Sequence, residues 1–144
     1  MKEVAKYSGC FVCGQDNHIG LKARFFYEAG KAWTEYTADK KFEGYYNIFH
    51  GGITATLLDE VMIKALLAKD IYVMTVELTV RFHKPVYIGQ KLLLSGSLEQ
   101  QKGRLYITGG EVRTDDGELV ASATGKYLEV KSEMKEKLLE SLES

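Results

Sequence analysis

Residues 53–68 read Ile53-Thr54-Ala55-Thr56-Leu57-Leu58-Asp59-Glu60-Val61-Met62-Ile63-Lys64-Ala65-Leu66-Leu67-Ala68, and the fold turns on this stretch. On a helical wheel at about 100° per residue, Leu57, Leu58, Val61, Met62, Ile63, Ala65, Leu66 and Leu67 spread over most of the circumference. A helix that is apolar nearly all round is buried on most sides. Glu60 and Lys64 fall about 40° apart, the i, i+4 spacing of a solvated stripe. Asp59 breaks the pattern, because it sits between Leu66 and Ile63 with Ala55 one turn back, inside the apolar arc. Burying an isolated carboxylate costs several kcal/mol or raises its pKa, so core packing does not account for it. A carboxylate at the edge of a pocket does. Two other readings stay open: a buried hydrogen-bond partner, or a helix side that meets more solvent than the wheel implies.

On either side of the helix the period changes. Upstream, residues 22–28 and 31–38 form two strands rich in Phe, Tyr, Trp and Thr, joined at Ala29-Gly30. Downstream, residues 71–83 alternate. Tyr72, Met74, Val76, Leu78, Val80 and Phe82 fall on one face; Val73, Thr75, Glu77, Thr79, Arg81 and His83 fall on the other. Pro85 ends that strand. Residues 91–101, 104–114 and 118–130 are further strands, punctuated by Lys102-Gly103 and Asp115-Asp116-Gly117. Ser132 caps a short amphipathic tail helix carrying Met134, Leu138 and Leu142. Two strands, one helix and four strands leave too few helices for parallel crossovers. The expectation is an α+β domain, a curved antiparallel sheet wrapped around one long central helix. It spans residues 1–144, with a core over 10–130 and a tail over 131–144.

Composition narrows the function. The 144 residues include 16 aromatics, too many for a disordered chain. Nineteen basic against 20 acidic residues give a net charge of -1, without the basic excess that nucleic acid demands. No apolar run reaches the ~18 residues of a membrane span, and the first residues lack a secretory h-region. A cytoplasmic protein is expected. Cys10 and Cys13 form one CxxC, which alone cannot close a four-ligand zinc site; His18 offers a third ligand, and a dimer could pool ligands from two chains. The two cysteines read as reduced or buried thiols, and no metal or cofactor is expected.

His50-Gly51-Gly52 leads straight into the helix. The first-turn amides there lack intrahelical partners and carry the positive end of the helix dipole. Glycines at 51 and 52 let a ligand oxygen approach the backbone closely. An amide cluster about two turns from an apolar-face acid offers an oxyanion stabiliser and a base or nucleophile. His50 is a ligand contact or a structural histidine bonded to the loop backbone.

The run from Gly44 through His50-Gly51-Gly52-Ile53, followed by Leu57-Leu58-Asp59, resembles the signature of hot-dog-fold acyl-CoA thioesterases of the phenylacetyl-CoA/4-hydroxybenzoyl-CoA type. The likeness continues through Met74–Pro85 to a basic-Pro step, and Cys10-Phe11-Val12-Cys13-Gly14 with Asn17 and Gly20-Leu21 recurs in one branch. The resemblance implies dimers, often paired into tetramers, with sites at the subunit interface. It also implies that Asp59 is the general base or nucleophile. A Gly51 or Gly52 amide would polarise the thioester carbonyl, and Thr75 would position water from the partner subunit. One departure is Gly44, where some relatives carry Asn six residues before the His; Asn47 is a candidate replacement. Phe49, Met62, Ile63, Leu66, Tyr45 and Tyr46 would wall an acyl pocket. Arg81, His83, Lys84, Lys102 and Arg104 are candidate cations for the CoA phosphates. The alternative is a non-catalytic module binding acyl-CoA or another hydrophobic ligand, for which Asp59 has little use.

Overall fold

The computed structural model describes residues 2–143. In chain order the elements are β1 (Lys2–Glu3), β2 (Lys6–Tyr7), β3 (Phe26–Glu28), β4 (Lys31–Thr37), a 3-10 turn (Lys40–Phe42) and α1 (Gly51–Leu67). After them come β5 (Val73–Phe82), β6 (Lys91–Lys102), β7 (Leu105–Thr114), β8 (Leu119–Glu129), α2 (Ser132–Glu140) and β9 (Leu142–Glu143). Seven strands form an antiparallel sheet in the order β1-β3-β4-β6-β7-β8-β5, while β2 pairs with β9. The α+β, hot-dog expectation holds.

One helix touches five strands, β4 to β8. Neighbouring strands lie about 4.8 Å apart and a helix is about 10 Å wide, so a sheet in contact on that many strands curls around its helix. Alternation puts Leu92, Leu94 and Gly96 of β6, and Tyr106, Thr108, Gly110 and Val112 of β7, on the buried side. Against them pack Leu57, Leu58, Val61, Met62, Ala65 and Leu66 of α1. At Gly96 a Cβ would stand 3.0 Å from the Val61 carbonyl oxygen, so only glycine lets the helix backbone lie this close.

Two expectations need correction. Glu60 and Lys64 are not a solvated stripe: the side chain of Lys64 is 1% exposed and that of Glu60 is 16% exposed. The N-terminal segment folds over this side of α1, where Ala5 O accepts from Lys64 Nζ at 2.7 Å. The wheel cannot see a cover supplied by residues 50 or more positions away. Second, Ser132 is the first helical residue of α2, after Lys131, and caps nothing with its side chain.

Among the described residues no helix is long and apolar enough to cross a membrane.

Candidate active site

Asp59 points from α1 towards the far end of the sheet. Tyr127 Oη on β8 donates to Asp59 Oδ1 at 2.8 Å, and Thr75 Oγ1 on β5 donates to Oδ1 at 3.1 Å, with Oδ2 at 3.3 Å. Tyr127 is fully buried, and its ring lies over Gly125, where a Cβ would come within 2.4 Å of it. Burial pushes the Asp59 carboxyl above its ordinary value, while the Tyr127 and Thr75 hydrogen bonds pull it back. A fixed, half-buried carboxylate with a lone-pair direction left on Oδ2 is equipped to take a proton or to attack.

Thr75 reaches Asp59 of its own chain, which simple alternation forbids. The ladder between β5 and β8 pairs Thr75 with Tyr127 but Glu77 with Lys126, so Val76 is an extra residue. This bulge reverses the facing of the strand partway along. Val73 and Thr75 face the helix before it, Leu78 and Val80 after it. The single alternation expected over residues 71–83 is therefore wrong, and Thr75 needs no partner subunit to meet an Asp59.

Two turns upstream, His50 caps α1: its Nδ1 accepts from Gly52 N–H at 2.9 Å. That occupies the Gly52 amide. The Gly51 N–H has no acceptor among the described residues, and of the two it is the free donor. It borders an apolar cavity of about 780 Å³ lined by Tyr45, Ile48, Phe49, Ala55 and Phe82. A smaller cavity of about 250 Å³ adjoins it, shared with Thr54, His83, Lys84 and Val120.

The other candidates scatter. Phe49 is buried and lines both cavities. His83 contacts Ser122 Oγ at 2.9 Å, Lys84 pairs with Glu118, and both border the smaller cavity. Arg81 lies on the outer sheet face beside Thr79, Ser95 and Glu111, away from the helix N-terminus. Arg104 Nη2 donates to Glu129 O at 2.7 Å, and Lys102 is exposed at the end of β6. Asn47 occupies a left-handed turn with φ 61°, its N–H donating to Glu43 Oε2 at 2.6 Å. Met62 and Leu66 are fully buried in the core, Ile63 packs at its margin, and none of the three lines either cavity. Tyr45 and Tyr46 are both largely exposed, at 86% and 88%, and of the two Tyr45 borders the larger cavity. Tyr127 is the residue that sequence reasoning missed. Its contact with Asp59 depends on strand register, which no local signal carries.

An antiparallel sheet curled around one long helix is the hot-dog fold. The chain belongs to the thioesterase superfamily, whose family profile matches residues 46–121, the span running from the loop before α1 into β8. It is similar to a thioesterase superfamily protein of known structure (29% identity, TM-score 0.79), covering 83% of this chain and 62% of that one. The present chain thus spans less than two thirds of that protein's length. A hypothetical thioesterase from Streptococcus pneumoniae, solved with coenzyme A, shares the fold at 16% identity (TM-score 0.71), covering 75% of this chain and 88% of that one. So does the PaaI protein of the E. coli phenylacetic acid degradation operon, at 19% identity (TM-score 0.72), covering 77% and 81%. No curated protein matches the chain.

Proposed function

We propose that this chain, acting as one domain, hydrolyses acyl-CoA thioesters to free acid and CoA. In this reading Asp59 is the general base or nucleophile and the Gly51 N–H is the oxyanion donor. The observation that carries it is Asp59 itself, a half-buried carboxylate on the central helix, held by Tyr127 and Thr75. The chemistry requires an acid and an amide donor and no cofactor. The Streptococcus pneumoniae protein of like fold was solved with coenzyme A, which supports the substrate class.

Helix geometry supports a homodimer at minimum. Gly51 and Asp59 are eight residues apart, about 12 Å along one helix axis. An amide about 3 Å from a carbonyl oxygen and a carboxylate about 3 Å from its carbon are separated by roughly 7 Å, so one thioester cannot meet both groups of one copy. Gly51 of one copy with Asp59 of a second can enclose it. The edge strand β5 supports the same reading, because among the described residues it pairs with β8 alone and exposes Met74, Val76 and Phe82. A ten-residue edge strand with three exposed large apolar side chains invites pairing. Light scattering should give a mass of at least twice 16.2 kDa; a monomer at micromolar concentration would sink the shared site.

Release of free thiol from a panel of aliphatic and aromatic acyl-CoAs tests the activity. Acyl-CoA binding without turnover of any member would leave a binding module instead. Tyr127→Phe gives a finer test. It removes a donor to the Asp59 carboxylate, and hydrogen bonds to charged groups are worth about 1.5–3 kcal/mol, or one to two pKa units. Losing a group that favours the ionised form raises the pKa. The acid limb of the kcat profile should therefore move up by about one unit or more. An unmoved limb would show that Tyr127 does not govern Asp59.

A further inference from the structure

On the opposite side of α1 from its sheet contacts, the N-terminal segment brings four reactive groups together. Cys10 Sγ, Cys13 Sγ and a Glu60 carboxylate oxygen all lie within 4.8 Å of one another. Lys64 Nζ sits 3.4 Å from Cys13 Sγ and 3.5 Å from Glu60 Oε2, with the Tyr7 and Phe25 rings each 5.9 Å away. The loop is tightly tied: Gly14 N–H donates to Cys10 O at 2.8 Å, and Leu21 and Ala23 N–H donate to Phe11 and Val12 O at 2.9 Å. A packing role accounts for Lys64, which staples Ala5, and for its ion pair with Glu60. It does not account for two thiols placed within reach of both.

The two cysteines are unequal. Cys10 is half-buried, and its sulfur accepts the Cys13 backbone N–H at 3.2 Å, whereas Cys13 is fully buried. Hydrogen bonding from the Cys13 thiol holds Cys10 below the ordinary thiol range, while the same contact and burial push Cys13 up. Burial also lifts Glu60 to about 7, close to the range of a proton acceptor at neutral pH. His18, the third donor that the sequence offered, is exposed and lies outside this group. The Lys64 ammonium stands against Cys13 and Glu60, where it opposes a divalent cation and favours a thiolate.

We propose that Cys10 and Cys13 form a dithiol–disulfide centre that exchanges with low-molecular-weight disulfides, with Cys10 as the attacking thiol and Glu60 and Lys64 handling proton and charge at Cys13. The Cys10 thiolate attacks one sulfur of the external disulfide, forming a mixed disulfide and expelling one thiolate. Glu60 takes the Cys13 proton as Lys64 balances the charge. The Cys13 thiolate then attacks Cys10 Sγ, closing the Cys10–Cys13 bond and releasing the second external thiolate. The dithiol gives two electrons to the external disulfide, which leaves as two thiolates; Glu60 returns the Cys13 proton to solvent, and the thiolates take up protons from water. The reverse course with a thiol restores the dithiol. This inference is independent of the thioesterase reading.

Oxidised glutathione is the probe, with alkylation, intact mass and peptide mapping as the readout. The reduced wild type should finish as the internal disulfide, two hydrogens lighter and free of glutathione. Cys13→Ser should retain one glutathione on Cys10, and Cys10→Ser should react about tenfold more slowly or worse. Glu60→Gln should let the mixed disulfide accumulate before closure. A brief alkylation of the unmutated reduced protein needs no variant to fold: Cys10 should label well before Cys13. Equal labelling, or glutathione retained by the wild type, would overturn the proposal. So would stoichiometric binding of added zinc that protects both thiols.

Discussion

Asp59→Asn is expected to lower kcat by about 10²–10⁴ with little change in KM, the range for losing a positioned proton-transfer group. The substitution is nearly isosteric. The Asn amide oxygen can still accept from Tyr127 at the 2.8 Å position and from Thr75 at 3.1 Å, so the local fold should persist. What disappears is the ability to take a proton or to attack as a carboxylate. Burial raises Asp59, so the wild-type acid limb should lie above the ordinary aspartate range, near 3.9, and the Asn variant should lack it. A structural Asp59 would show the reverse: a lower Tm and near-normal turnover of the folded fraction. Glu60 cannot serve as the neutral control, because it is buried with Lys64. Glu136, exposed on α2, can, and Glu136→Gln should leave turnover within about twofold.

Gly51→Pro should cost about 10²–10³ in kcat, the usual effect of deleting one oxyanion donor. The first helical position is where proline is best tolerated, because its missing N–H has no intrahelical acceptor to lose. The preceding His50 already has φ -61° and ψ 126°, the extended conformation that a residue before proline prefers. Melting temperature should therefore change little. Gly51→Ala keeps the amide and meets only the Phe82 ring, at 3.5 Å, so it should retain most activity. If Gly51→Pro is as active as Gly51→Ala, the oxyanion assignment is wrong. Mixing the two dead variants adds a test of the shared site. Random re-pairing of Asp59→Asn with Gly51→Pro chains would restore one complete site in half of the dimers, roughly a quarter of the wild-type sites. A mixture that stayed inactive after exchange would place both groups at separate, single-chain sites.

Much of this was legible along the chain because it rests on periodicity. A helix apolar nearly all round, a long strand after it and turn-punctuated strands beyond require a sheet curled over a helix. Asp59 was conspicuous because a carboxylate in an apolar arc has an energetic cost that packing does not offset. His50-Gly51-Gly52 was visible for a similar reason, since an unpaired helix start follows from the backbone alone. What only the tertiary structure decided are matters of register and of distant cover. Tyr127 meets Asp59, 68 positions away, through strand pairing that no local pattern encodes. The bulge at Val76 turns Thr75 inward because one unpaired residue reverses a period of two. That the Gly52 amide is taken while the Gly51 amide is free follows from the orientation of one imidazole. Glu60 and Lys64 have the spacing of a solvated pair, and only the return of residues 5–13 over the helix makes them buried partners of two thiols. Periodicity records which side of an element is apolar; the identity of what covers it is set by the rest of the chain.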